Sequence, residues 1–125
     1  MLAQMAPLLD PVRYCFMLIT PGNAPQALGA AIGTFREDEG VTAIVPEAVA
    51  RELDDEGPVM ARITLTVNSS LEGVGLTAAV AGALANENIA CNMVSAYRHD
   101  HVFVPAEDGN RALNLLEQLS QAARR

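Results

Sequence analysis

The sequence predicts an α+β fold of two related βαββα units, on three observations. Stretches with a two-residue apolar period alternate with stretches at helical spacing, short polar turns separate neighbouring strands, and the second half repeats the element order of the first. A β-α-β-β-α order with short hairpins gives antiparallel sheets covered by helices on one face. That is the split-βαβ or ferredoxin-like arrangement, βαββαβ when its fourth strand is present. A chain of 125 residues with 50% apolar content can bury a substantial core, as one domain or as two small units.

In the first half, Leu2 to Leu9 is a short apolar lead-in, and Tyr14 to Ile19 is a continuous apolar run of strand length. The turn-rich TPGNAP ends that run. Gln26 to Gly33 predicts a turn or two of helix, weakened by Gly29 and Gly33. Ile32 to Arg36 and Val41 to Val45 flank Glu37, Asp38, Glu39 and Gly40 and read as a hairpin with a solvated acidic turn. Pro46 suits a helix start, Glu47 complements the helix dipole, and Val49 and Leu53 form its apolar stripe. DDEGP then breaks the chain near Gly57 and Pro58, dividing residues 1–57 from 58–125.

In the second half, Arg62, Thr64 and Thr66 alternate with Ile63, Leu65 and Val67, which predicts a strand ending near Val67 with one buried face. Asn68, Ser69 and Ser70 follow as turn and cap residues. Ser69 and Glu72 have capping-box spacing, so a helix is expected within a few residues. Leu76, Val80 and Leu84 recur at helical spacing, among alanines that let the helix lie close to a sheet. A strand near Cys91, a polar hairpin tip at His99 to His101, a strand to Val104 and a helix carrying Leu113, Leu116 and Leu119 complete the unit. The pairs Phe35-Arg36 and Tyr97-Arg98, and the prolines Pro46 and Pro105, keep the same order at offsets of 62 and 59 residues, as a duplication would leave them. Three strands leave the second unit without its fourth. Tyr14 to Ile19, or a strand from a second chain, is expected to cover that edge.

Composition excludes several function classes. All eight basic residues are arginine, so Schiff-base chemistry and pyridoxal-phosphate attachment are ruled out. The net charge of −7 argues against nucleic-acid binding, and residues 1–57 carry nine acids against three arginines. No run of about 18 apolar residues is present to cross a membrane, and the N-terminus is a poor signal peptide. Cys15 and Cys91 sit in apolar runs and read as small buried hydrophobes. Cytoplasmic residence is the default expectation.

The chemistry-bearing candidates are few. Backbone N–H groups at the helix start near Gly73 and Gly75 could receive a carboxylate, although caps and glycines also serve folding alone. No phosphate-loop motif is present. His99 and His101 could ligate zinc or iron with a distant carboxylate, but their place at a turn favours a turn or effector-contact role. Ser69 or Ser70 with a histidine base lacks a nucleophile-elbow motif, and no arginine falls in 68–77 to support acylphosphatase-like chemistry. No catalytic residue is assigned.

The segments MAPLLDPVRYCF, FREDEGVTAIVPE, ITLTVNSSLEGVGLTAAV and IACNMVSAYRHDHVFVP together resemble the ACT domain, a small regulatory module. They resemble more closely the short bacterial proteins that carry two ACT-like units in tandem. The resemblance implies a degenerate ACT-like unit at 1–57 and an ACT domain at 58–125. It further implies a non-catalytic sensor whose small effector, an amino acid, binds at an inter-unit or dimer interface. The contacts implied are Asn68, Ser69, Ser70, Leu71, Val74, Gly75, Leu76 and Thr77 in the loop, with Cys91, Asn92 and Met93 on the second strand. A homodimer is implied, and no cofactor. Asn68 stands where many such loops carry an acid, so an ammonium group would meet neutral hydrogen bonds there. A structural or protein-interaction module without a ligand is the alternative, and a histidine-based metal-binding protein a more distant one.

Overall fold

A computed structural model describes residues 2–66 and 74–124 of the chain. Contacts divide them into two units, Val12–Met60 and a second unit that joins Met1–Pro11 to Ala61–Arg125. The sequence break near Gly57 lies close to one of these boundaries. The eleven N-terminal residues, however, fold with the second half and not the first.

The first unit contains the strand segment Val12–Leu18, the C-terminal part of β1 (Pro7–Leu18), then α1 (Ala24–Ala30), β2 (Gly33–Glu37), β3 (Gly40–Pro46) and α2 (Glu47–Glu52). Its strand order is β2-β3-β1, with antiparallel pairs such as Cys15 with Val45 and Phe35 with Thr42. Cys15 and Met17 of β1, Ala43 and Val45 of β3, Ala27 of α1 and Ala50 of α2 form its core. Small side chains let the short helices lie close to the sheet. α2 stops because Asp54 turns left-handed at φ 61° and the Asp55 amide reaches back to the Ala50 carbonyl, a Schellman closure. Arg51 then donates to the carbonyls of Asp55 and Gly57, which ties the DDEG segment to the helix that precedes it.

The second unit has the same order one repeat later: β4 (Met60–Leu65), α3 (Leu76–Asn86), β5 (Asn92–Ser95), β6 (Asp100–Pro105) and α4 (Gly109–Ala123). Its strand order is β1-β4-β6-β5, where β1 contributes Pro7–Pro11. This supplies the missing fourth strand. The segment that does so is Pro7–Pro11, while Tyr14 to Ile19, the expected donor, lies in the first unit. Two prolines hid the donor from the period-2 search. They are tolerated because this stretch is the edge strand of its unit, where a missing N–H costs little.

Ala61, Ile63 and Leu65 of β4, Val102 and Val104 of β6, Leu76, Val80 and Leu84 of α3, and Ala112 and Leu116 of α4 form one buried cluster with Met5. α3 ends in a second Schellman closure, with Asn88 at φ 59°, the Asn88 amide on the Ala85 carbonyl and the Ile89 amide on the Leu84 carbonyl. β4 ends at Leu65, two residues before the expected Val67. The N-terminal segment is pinned at several points. The Ala3 carbonyl accepts from Ser120 Oγ and Arg124 Nε, and the Met5 and Ala6 carbonyls accept from the Thr66 amide and hydroxyl.

Because Met5 is fully buried in the second unit's core, Met5→Ala is expected to destabilise the chain by about 2–5 kcal/mol in urea unfolding. A variant as stable as the parent would show that the N-terminal segment is not part of that core.

Candidate functional site

Of the expected ligand contacts, Asn68, Ser69, Ser70 and Leu71 lie outside the described residues. Those described are Val74 to Thr77 at the start of α3 and Cys91 to Met93 at the start of β5. The helix begins at Leu76 with Gly75 as its N-cap, at φ 101° and without a side-chain cap; the expected capping pair Ser69 and Glu72 lies outside the described residues. Only glycine adopts that backbone readily, and a β-carbon there would meet nothing within 4 Å. Among the described residues, nothing lies within 4 Å of a Cβ at Gly75 before the first N–H groups of α3, and Val74 and Thr77 beside it are exposed. Leu76 is buried in the core and can offer only its backbone.

Strand geometry divides the second group. Cys91 and Met93 pack against the same apolar cluster as Leu76. Asn92 is exposed and stands opposite Phe103, on the sheet face away from the helices. Cys91, Met93 and the α3 start share one side of the sheet, and Asn92 presents its side chain to the other. The turn between β5 and β6 is closed by the Ala96 amide on the His99 carbonyl, which puts Tyr97 and Arg98 at the tip. Asp100 and His101 are strand residues, where the sequence expectation had the whole triplet in the turn.

His101 belongs to a polar row that sequence reasoning missed. On the helix-free face of the second unit, its Nδ1 lies 3.0 Å from Thr64 Oγ1. Two residues along β4, on the same face, Arg62 donates through Nε and Nη2 to Asp10 Oδ2 at 3.2 and 2.6 Å. Both side chains of this pair are mostly buried, 24% and 15% exposed. The outward alternation of Arg62 and Thr64 was the available signal. What it lacked was the partner, 52 positions earlier in the chain. Beside the pair is an open hollow of about 320 Å3 lined by Leu8, Leu9, Asp10, Pro11, Arg62 and Thr64.

The titratable groups are tuned away from reactivity. Burial raises the pKa of Cys15, with Arg51 opposing it, and burial raises that of Cys91, so both thiols hold their protons. Burial, then the neighbouring Arg62 and His99 charges, lower the pKa of His101 against a weaker opposing effect of Asp100. Its imidazole is therefore neutral near pH 7. Among the described residues no three His, Cys, Asp or Glu side chains gather as a metal site, and no helix is long and apolar enough to cross a membrane.

Comparison with known proteins matches the two halves of the chain separately. One model of the ACT domain matches residues 61–118 and another matches residues 1–59. A Vibrio cholerae protein of unknown function, described as a possible transport protein, is 38% identical over 92% of this chain and 90% of its own, with a TM-score of 0.80. The ligand-free regulatory subunit of aspartate kinase from Thermus thermophilus is 15% identical over 90% of this chain and 95% of its own, at a TM-score of 0.61. A protein from Agrobacterium tumefaciens is 16% identical over 87% of this chain and 82% of its own, at 0.63. No curated protein matches the chain.

A neutral, half-buried histidine has a pH signature. The unfolded chain takes up the His101 proton at about pH 6.5, before the folded chain does, so the stability it contributes is full above that value and is lost as pH falls below it. Stability to urea should fall more steeply from pH 7.5 to 5.5 in the parent than in His101→Gln. Equal slopes would contradict a lowered histidine pKa.

Proposed function

The chain belongs to the ACT-domain family, and on that premise we propose that it is a non-catalytic regulatory protein that binds a small molecule, an amino acid or a similar carboxylate. The observation that carries this reading is the open start of α3. Among the described residues, Gly75 presents no side chain and no side-chain cap at the first N–H groups of α3, which suit a carboxylate. Val74, Leu76 and Thr77 frame that start, the expected loop residues Asn68, Ser69, Ser70 and Leu71 precede it, and Cys91 and Met93 line the same side of the sheet. Asn92 contributes on this side through its backbone alone.

Several features support binding over chemistry. Neither thiol is primed as a nucleophile, His101 is held by Thr64, and the chain has no lysine. ACT domains typically bind effectors and dimerise, and the proposal extends to a homodimer in the cytoplasm. Pro7–Pro11 covers the edge that first suggested a dimer, so association would use another edge, such as β5. The proposal keeps 1–57 and 58–125 as descendants of one duplicated ACT-like unit. Regulation then requires that the ligand bind two arrangements of the protein with different affinity.

A thermal-shift screen of the twenty amino acids tests the reading, because a ligand at 100 times its dissociation constant adds about 2.7 kcal/mol of stability. At least one amino acid should raise the melting temperature, and Gly75→Val, which crowds the helix start, should abolish that shift. No response to any amino acid would leave a ligand-free interaction module as the better reading.

A further inference from the structure

We propose that the tip of the hairpin between β5 and β6, at Tyr97 and Arg98, together with the outer edge of β5, is a docking surface for an acidic extended segment of a partner protein. The starting observation is a difference among the arginines. Arg13, Arg51, Arg62 and Arg111 pair with carboxylates, and Arg124 donates to the Ala3 carbonyl. Arg36 and Arg98 have no such partner among the described residues, and these are the two that hold matching places in the two units. Each follows an aromatic residue that folding leaves outside: Phe35 is 72% exposed and Tyr97 85%. The Arg98 guanidinium lies over the Tyr97 ring at 5.9 Å, so charge and apolar surface are presented together. Neither pair belongs to a core cluster, and aromatic residues and arginine are the types that carry most of the binding energy in protein interfaces.

Charge separates the two pairs and selects the occupant. Arg36 is followed directly by Glu37, Asp38 and Glu39, all exposed, so an acidic segment is repelled there. Between Asn92 and Pro105 the only acid is Asp100, which is 6% exposed, so the tip at Arg98 keeps its positive charge. The net charge of −7 opposes a long polyanion such as nucleic acid, which would reach past the tip into repulsion, whereas a short acidic segment engages the tip alone. Backbone supplies the rest. β5 is the outermost strand of its unit, paired to β6 from Asn92 opposite Phe103 to Ser95 opposite Asp100, and no other described strand covers its outer side. A segment added there gains main-chain hydrogen bonds along β5 and carries an acidic side chain to Arg98 and an apolar one to Tyr97.

A non-catalytic regulator acts through a partner that it touches, which is the one point taken from the regulatory reading; the place and chemistry of the surface do not depend on the effector. The probe is an octapeptide alternating valine with aspartate, compared with its valine and lysine counterpart, each titrated into the full chain and followed by amide NMR. The expected result is chemical-shift change at residues 92–98 with the aspartate peptide and none with the lysine peptide. Arg98→Glu, at an exposed position, should weaken binding about ten-fold or more, while Arg36→Glu leaves it unchanged. No shift with the aspartate peptide, equal response to both peptides, shifts at 33–37 in place of 92–98, or undiminished affinity in Arg98→Glu would each overturn the surface. Sedimentation velocity of the peptide-free chain tests the other occupant: a dimer that Arg98→Glu dissociates would assign the surface to a second copy and overturn the partner proposal. None of these failures touches the amino-acid screen, which decides the effector separately.

Discussion

A βαββα unit leaves one edge of its first strand without a partner, and the second unit of this protein is organised around how that edge is covered. β4 pairs with β6 on one side and with Pro7–Pro11 on the other, a segment that precedes it by about fifty residues. The Asp10–Arg62 ion pair, the Thr66 bonds to Met5 and Ala6, and the hold of Ser120 and Arg124 on Ala3 all secure this one strand. The two ends of the chain thereby belong to one unit, with Val12–Met60 inserted between its parts. A mostly buried pair is costly unless its geometry is good. Here one short contact of 2.6 Å and a second from Nε meet that condition.

How much of this could be read in advance depended on range. Local periodicity located β4, α3, α4, the first hairpin and the acidic break, because each is dictated by neighbours within a few residues. Element order and the matched Arg36 and Arg98 pointed to two like units in tandem, and an ACT-domain model matches each half of the chain. The N-terminal strand went unseen because Pro7 and Pro11 interrupt its period and its partner is remote. The expected capping pair, Ser69 and Glu72, lies outside the described residues, and α3 itself starts at Leu76, just past Gly75. Of the candidate site, Gly75 and the α3 start were legible. The polar row of Asp10, Arg62, Thr64 and His101 was not, since only the fold brings those residues together.

The same packing is consistent with the proposed regulatory role. Burial raises the pKa of both thiols, the strand histidine is kept neutral near pH 7 beside Arg62, and Asp10 and Arg62 form a mostly buried ion pair. Among the described residues, what stays accessible is backbone at a helix start on one side of the sheet and an open hollow on the other.

The central claim, that the N-terminal segment is the fourth strand of the second unit, is tested most directly by amide hydrogen exchange at Thr66. That amide lies just past the end of β4 and bonds to the Met5 carbonyl at 3.1 Å. The account predicts that it is protected in the intact chain and loses protection when residues 2–5 are deleted, while the amides of α1 and β3 in the first unit are unchanged. Exchange at Thr66 in the intact chain as fast as in an unfolded peptide would contradict it.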